Sequence, residues 1–395
     1  MRVLIVGGGI GGLVAAIALG QRNIEVEVFE QQAEPREVGA GIAIFANGAR
    51  VLSSLGIDAA LEPSRHYSPG FRLRRGKSGR IIGELKLGDF HEERFGARAY
   101  DLHRGDLRQS LLEAASTAHG VKVHLGQRVV NVVQEQDQVA LETDRGLRAT
   151  GEAAIGADGI HSVVRREIAG PDAPHFSGEV VWRALVRRDR LSGIASTPFN
   201  TVWTGGDRHF LQYPVRGGDL LNIGGFVRSD RWRSESWMES GDRAVFAGLF
   251  SAFHPAVREI IDSVDECFVQ AIHERAPLGA WFKGRVVLLG DACHAMPPHM
   301  GQGAGMAIED GVVLARAIVD GRQNLEEAFR IYEQKRQDRV QRLLEAVRWN
   351  ARMFRAGNPL RRAGLDLGFW LMSKLRPTGP QETFAWVYEY DALRA

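Results

Sequence analysis

Two cysteines, Cys267 and Cys293, are too few for a disulfide framework and do not make a metal-ligand set. The expectation is a protein of the reducing cytoplasm with no metal centre. Charge of one sign is also lacking: 50 basic against 48 acidic residues leave a net charge of +2, which argues against a surface dedicated to nucleic acid. Basic clusters at 72–75 and 361–362 then read as solvated faces or local phosphate partners. No apolar run reaches the length of a membrane span, so no membrane partner is expected. The stretch 364–375 has some amphipathic character and reads as a packed terminal helix. Internal repeats and low-complexity tracts are missing as well. A hydrophobic share of 44% in 395 residues leaves a globular protein with length for two or three domains.

Glycine is what the chain has, and five of the six residues 7–12 are glycine. Residues 1–31 read as strand, glycine turn, helix and second strand. Gly7, Gly9 and Gly12 give the spacing G-x-G-x-x-G, with Gly11 inside it. The first glycine allows a tight turn, the second lets backbone approach a pyrophosphate, and the third lets helix and strand pack closely. The diphosphate would sit on the unpaired amides at the positive end of the helix. Glu30, closing the second strand, is placed to accept the hydroxyls of an adenosine ribose. A secretory signal competes for the apolar stretch up to Leu19, but the glycine run continues straight into a strand without a small-residue cleavage site. A merely structural glycine turn would not need the acid at the end of the next strand.

Downstream, residues 36–42 form a glycine loop that includes Gly41, and 70–88 read as a hairpin. Arg104 stands in a His-Arg-Gly-Asp-Leu run that opens a helix. Short strands from 121 to 150 lead into Gly156-Ala157-Asp158-Gly159, a second strand ending in a glycine-flanked acid. Strands at 180–186, 201–203, 209–215 and 220–227 look antiparallel, with a hairpin turn at Gly217-Gly218-Asp219. On such a strand His209, Leu211 and Tyr213 share one face, which could line a pocket. A helix carrying Val245, Leu249 and Phe253 follows. A strand at 285–289 then ends in Gly290-Asp291, before a glycine-rich loop with Pro297-Pro298-His299 and long helical material from 325 to 354.

Together the glycine fingerprint with Glu30, the Asp158 motif and Gly290-Asp291 resemble the single-component FAD-dependent aromatic hydroxylases, the p-hydroxybenzoate hydroxylase-like family. The stretches around Trp182-Arg183, Tyr213-Pro214 and Asp291-Ala292-Cys293-His294 look most like its salicylate, 3-hydroxybenzoate and 6-hydroxynicotinate members. At Phe45-Ala46-Asn47 the chain departs, with alanine where relatives commonly have proline. The resemblance implies an α/β fold: a Rossmann-like FAD-binding domain of the glutathione-reductase type, an inserted mixed or antiparallel β-sheet substrate domain, and C-terminal helices. The FAD-binding domain would take residues 1–69, 100–172 and 278–355, the substrate domain 70–99 and 173–277, and a helical tail 356–395.

Carried over by position, Gly7, Gly9, Gly11, Gly12, Glu30, Gly41, Arg104, Asp158, Asp291, Gly301, Gly303 and Ala304 would bind FAD. A helix starting near Gly301 would aim its positive end at the flavin pyrimidine edge. The implied reaction uses NADH or NADPH to reduce FAD and O2 to form a flavin hydroperoxide, which hydroxylates a small aromatic ring. Loss of a phenolic proton makes the ring electron-rich, so a base titrating near neutrality is useful, and His299 is the candidate. His209 and Tyr213 would orient the ring. His294 and Cys293 read as structural, and Arg183 and Arg216 as uncommitted partners for a carboxylate. The other readings are a flavin epoxidase or tailoring oxygenase on a larger natural product, and a non-catalytic FAD-binding sensor. The substrate, the position hydroxylated and any accompanying decarboxylation stay open, as does a homodimer.

Overall fold

Four consecutive buried apolar residues, Val3, Leu4, Ile5 and Val6, make Arg2–Val6 an inner strand of a six-stranded sheet. A strand apolar on both sides needs cover on both faces, which parallel crossover connections supply. The computed structural model describes residues 1–34, 41–230, 239–354, 364, 367–368, 370–371, 375 and 382–395. Residues 36–40 of the expected glycine loop, half of the expected helical tail 356–395 and half of its 364–375 stretch lie outside the described residues.

The sheet runs Phe282–Lys283, Val286–Leu288, Ala153–Gly156, Arg2–Val6, Glu25–Glu30, Val121–Leu125, parallel except at the Phe282–Lys283 edge. Strands distant in sequence therefore return beside the first one. The crossover helix Ile10–Gly20 is buried along its whole length, between the sheet and the helices Arg104–Thr117 and Gly303–Asp320. Gly311 makes one of those contacts possible, since a β-carbon there would stand 2.7 Å from Val14 Cγ1 and 3.0 Å from the Ala15 amide nitrogen.

A second sheet of eight strands is ordered Glu239–Gly241, Cys267–Glu274, His175–Arg187, Leu220–Arg228, Arg208–Val215, Asn200–Gly205, Gly70–Arg75, Ile81–Lys86. Its only parallel pair joins Asn200–Gly205 to Gly70–Arg75 among the described residues. One face buries Trp182, Trp203, Phe210, Phe246 and Phe250 with the helices Arg243–Leu249 and Pro255–Asp262. The opposite face carries the alternate residues, among them Glu179, Arg183, His209, Tyr213 and Phe226.

Two sequence expectations change here. The helix expected through Val245, Leu249 and Phe253 stops at Leu249, and Val245 is 52% exposed while Phe246 and Phe250 are buried. Larger aromatic area won the inward positions. Pro255 then opens a separate helix, capped by His254 Nδ1 accepting from the Ala256 amide. The tight turn also begins one residue early, at Arg216–Gly218, with Arg216 itself at φ 52°.

Candidate functional site

The glycine turn follows strand Arg2–Val6. Gly7 adopts φ 108°, and a β-carbon there would fall 2.3 Å from the Ala157 carbonyl oxygen and 2.9 Å from Asp158 Cα. Gly12 is closed in the same way by the Gly7 carbonyl at 2.1 Å, and Gly11 by Leu289 Cδ1 at 2.7 Å. Gly9, the N-cap of the helix, has nothing within 4 Å of that position. So the turn is packed at Gly7, Gly11 and Gly12 and open at Gly9, the position at which the spacing leaves room for a diphosphate.

Glu30 is buried, and each of its oxygens accepts one amide: Oε2 from Gly8 and Oε1 from Gln32, both at 2.8 Å. A carboxylate has about four acceptor sites, so capacity remains for ribose hydroxyls. Arg108, not singled out from the sequence, donates from Nε to the Gly8 carbonyl at 2.9 Å and brings Nη2 to 3.5 Å from Glu30. Its signal was its place one helical turn after Arg104. Asp158 is tied through Oδ2 to the Val163 amide at 2.7 Å, while its Oδ1 is buried with no hydrogen-bond partner among the described residues. Burial pushes this carboxyl upward, opposed by the Ser162 side chain and the backbone amides. An open glycine, a helix N-terminus, an acid with spare acceptors and an orphaned carboxyl oxygen together fit a dinucleotide such as FAD.

Arg104 opens the helix Arg104–Thr117 and is exposed, and Asp291 is exposed in the turn Asp291–His294 after Gly290. Gly301, at φ 63°, brings its loop to strand Gly41–Ile44, facing Ala43 and Phe45. Gly303 and Ala304 open the helix Gly303–Asp320, whose first amides lack intrahelical acceptors. Behind them Asn47 Nδ2 donates to Gln302 Oε1 at 3.1 Å and Glu309 Oε1 at 2.7 Å, so the helix starts at Ala46 holds this loop. Glu309 and Asp310 are in turn paired with the buried Arg336. His294 belongs to that network, its Nε2 lying 2.6 Å from Asp310, and Cys293 is a buried packed thiol that burial pushes well up.

The polar wall comes from alternate residues of the second sheet. His209 stacks flat on Phe226 at 4.3 Å, and strand pairing sets Tyr213 opposite Asn222. Gly41 donates its amide to Asn222 Oδ1 at 2.6 Å and lies directly on Tyr213. Arg183 donates from Nε to Gln270 Oε1 at 3.0 Å, and its terminal amino groups meet no acceptor among the described residues. Burial lowers the proton affinity of Arg183, with Tyr213 and Arg104 as its charged or ionisable neighbours. Burial likewise pushes the Tyr213 phenol far up, reinforced by Asp101 and opposed by Arg183. Asp101 is buried on strand Tyr100–His103 and pushed up to about 8, against one hydrogen bond from Asn200 Nδ2 at 3.0 Å. His299 stands with its ring 5.7 Å from His209 and 5.8 Å from Phe226. Arg216 is elsewhere, paired through both Nε and Nη2 with Asp106. His209 and His299 are thus brought together, with Phe226 and Glu179 added, whereas Tyr213 lies four residues further along the strand from His209, with Asn222, Gly41, Asp101 and Arg183 as its neighbours.

Fold and site define a dinucleotide-binding α/β protein whose second sheet walls a polar, aromatic-lined centre. The FAD binding domain family matches residues 1–347. A 3-hydroxybenzoate 6-hydroxylase of Polaromonas naphthalenivorans (strain CJ2) is 34% identical over 357 residues, 90% of this chain and 88% of that one. A 6-hydroxynicotinate 3-monooxygenase of Pseudomonas fluorescens is also 34% identical, over 88% of this chain and 91% of the relative. In structure, Klebsiella pneumoniae HpxO, solved with FAD and uric acid, matches with a TM-score of 0.85 at 26% identity, over 98% of this chain and 97% of that one. The chain belongs to the FAD-dependent aromatic hydroxylases and is a flavoprotein monooxygenase.

Proposed function

We propose that the protein hydroxylates a small phenolic or hydroxypyridine carboxylate, of the salicylate, 3-hydroxybenzoate or 6-hydroxynicotinate type, with O2 and NADH or NADPH. Residues 1–69, 100–172 and 278–355 would hold FAD, and 70–99 with 173–277 the ring. Bound FAD would supply the activation of O2, from which the transferred oxygen atom comes. The observation that carries this reading is Arg183, a half-buried guanidinium on the wall with two terminal amino groups to spare. A planar fork of donors matches a carboxylate bidentately. Two relatives are named for substrates that pair a ring hydroxyl with a carboxylate, which agrees with it.

In this reading Gly7, Gly9, Gly12, Glu30, Asp158 and Arg108 grip the dinucleotide, and Gly301, Gly303 and Ala304 border its ring system. Tyr213 and His209 orient the substrate ring, and His299 takes the hydroxyl proton. A wide apolar pocket for a larger natural product is disfavoured by the polar groups on this one face. The test is NADH and NADPH consumption by the FAD-loaded protein against salicylate, 3-hydroxybenzoate, 4-hydroxybenzoate and 6-hydroxynicotinate, with products identified by mass spectrometry. One hydroxylated product formed in step with oxidation is expected. Peroxide release alone with every compound would overturn the substrate class.

A further inference from the structure

The most enclosed charged contact beside the polar wall joins two distant elements. Glu179 lies on strand His175–Arg187, and His299 lies in the loop before helix Gly303–Asp320. Their side chains are 1% and 0% exposed, and Glu179 Oε2 is 3.0 Å from His299 Nε2, with the ring N–H off the line of a good hydrogen bond. The other ring nitrogen, Nδ1, is buried and has no hydrogen-bond partner among the described residues. Asn350 Nδ2 holds the loop from behind by donating to the His299 carbonyl at 3.1 Å. Among the described residues the titratable groups facing the ring are Glu179 and, from strand Arg208–Val215, His209.

A neutral imidazole has one N–H to place. On Nε2 it faces a carboxylate; on Nδ1 it would be a buried donor without an acceptor, and two lone pairs would face each other at Glu179. Enclosure sharpens the difference, because a buried charge is tolerated only where it is paired.

We infer that Glu179 is a positioning residue for the hydroxylation: it fixes His299 with its hydrogen on Nε2 and leaves Nδ1 as the acceptor for the proton of the substrate hydroxyl. The inference rests on the proposed hydroxyaryl substrate and gives it a proton path. The substrate O–H bond breaks, an Nδ1–H bond forms, and the bonding pair stays on oxygen, where it enriches the ring. Glu179 stays ionised and balances the imidazolium. The proton returns to the product oxygen before release. The division of labour is that of a nucleophile triad, in which a carboxylate sets the tautomer and a histidine moves the proton.

Two measurements on FAD-loaded protein test it. Isotope-labelled histidine, with His299 assigned by loss of its signal in His299→Gln, reports the tautomer directly by NMR. Hydrogen on Nε2 in the wild type, and loss of that single form in Glu179→Leu, are expected; hydrogen on Nδ1 in the wild type overturns the proposal whatever the substrate. The second uses 3-hydroxy-4-nitrobenzoate, whose bound phenolate absorbs in the visible. In Glu179→Gln the pH at which it ionises when bound should rise by about one unit or more, the scale of a lost charge at contact distance. An unmoved transition overturns the proposal. A probe that fails to bind counts against the substrate class alone, and the tautomer then decides the role of Glu179.

Discussion

Gly41 lies on Tyr213 so closely that a β-carbon added to it would stand 2.5 Å from Tyr213 Cε2 and 2.7 Å from both the Tyr213 hydroxyl and Asn222 Cγ. With the Gly41 amide also bonded to Asn222, this contact couples the strand Gly41–Ile44 to the eight-stranded sheet. Gly41→Ala must therefore push the ring or the strand aside. Overpacking of this kind costs about 1–3 kcal/mol. The expected result is a lower melting temperature together with a KM for the aromatic substrate raised roughly tenfold, since about 1.4 kcal/mol is a factor of ten. An unchanged KM would mean that Tyr213 does not touch the ring of the substrate.

Asp101 gives the site a dependence on alkaline pH. Burial pushes its carboxyl up to about 8, so the folded protein holds a proton that the unfolded chain releases above the ordinary value of 3.8. The folded state binds more protons across that window, and stability falls as pH rises through it. Above about pH 8 a negative charge also appears beside Tyr213, where it opposes an anionic substrate. Asp101→Asn should leave kcat/KM at neutral pH within a few fold and remove its decline above about pH 8. A pH–rate series on both proteins checks this, and a decline that persists in the variant assigns it to another group.

His91 does the reverse at acid pH. Its imidazole is boxed by Phe45, Phe90, Phe95 and Tyr388, and burial pulls it down to about 4. The unfolded chain takes up a proton near 6.5 that the folded protein refuses until about 4, so stability is lost as pH falls through that interval, by up to about 3 kcal/mol. His91→Phe should flatten the difference between denaturant midpoints measured at about pH 7.5 and about pH 5. Equal slopes in the two proteins would show that other groups carry the acid sensitivity.

The dinucleotide half was legible because its information is local. Gly7, Gly9, Gly12 and Glu30 fall within one strand–helix–strand unit, and spacing alone sets which glycine is packed and which is open. His209 and Tyr213 were readable as one face of a strand for the same reason. Glu179, Asp101 and Asn222 were not, because their meaning depends on pairings between residues far apart in the chain. Glu179 shares its strand with Arg183 yet becomes informative only when the loop carrying His299 lands on it. Arg183 and Arg216 looked alike in sequence. Strand register gives one to the wall and turns the other toward Asp106.

That separation makes Arg183 the sharpest test of substrate class. Its guanidinium is held by Gln270 through Nε, so the stem is fixed and the fork is presented. Arg104 is a second cation nearby, which deepens the attraction for an anion. A hydrogen-bonded charge pair in such a setting contributes about 1.5–3 kcal/mol, or roughly 10- to 150-fold in affinity. Arg183→Met keeps most of the apolar stem and removes the fork. Binding of 3-hydroxybenzoate to the FAD-loaded variant, followed by the change in flavin absorbance, should weaken by that factor, whereas 3-hydroxybenzyl alcohol should bind wild type and variant alike. Arg183→Lys should recover only part of the loss, because an ammonium offers a point charge and not two parallel donors. Equal losses for the acid and the alcohol would mean that Arg183 supports the sheet through Gln270 and meets no carboxylate, and the search for the anion partner would move to Arg104.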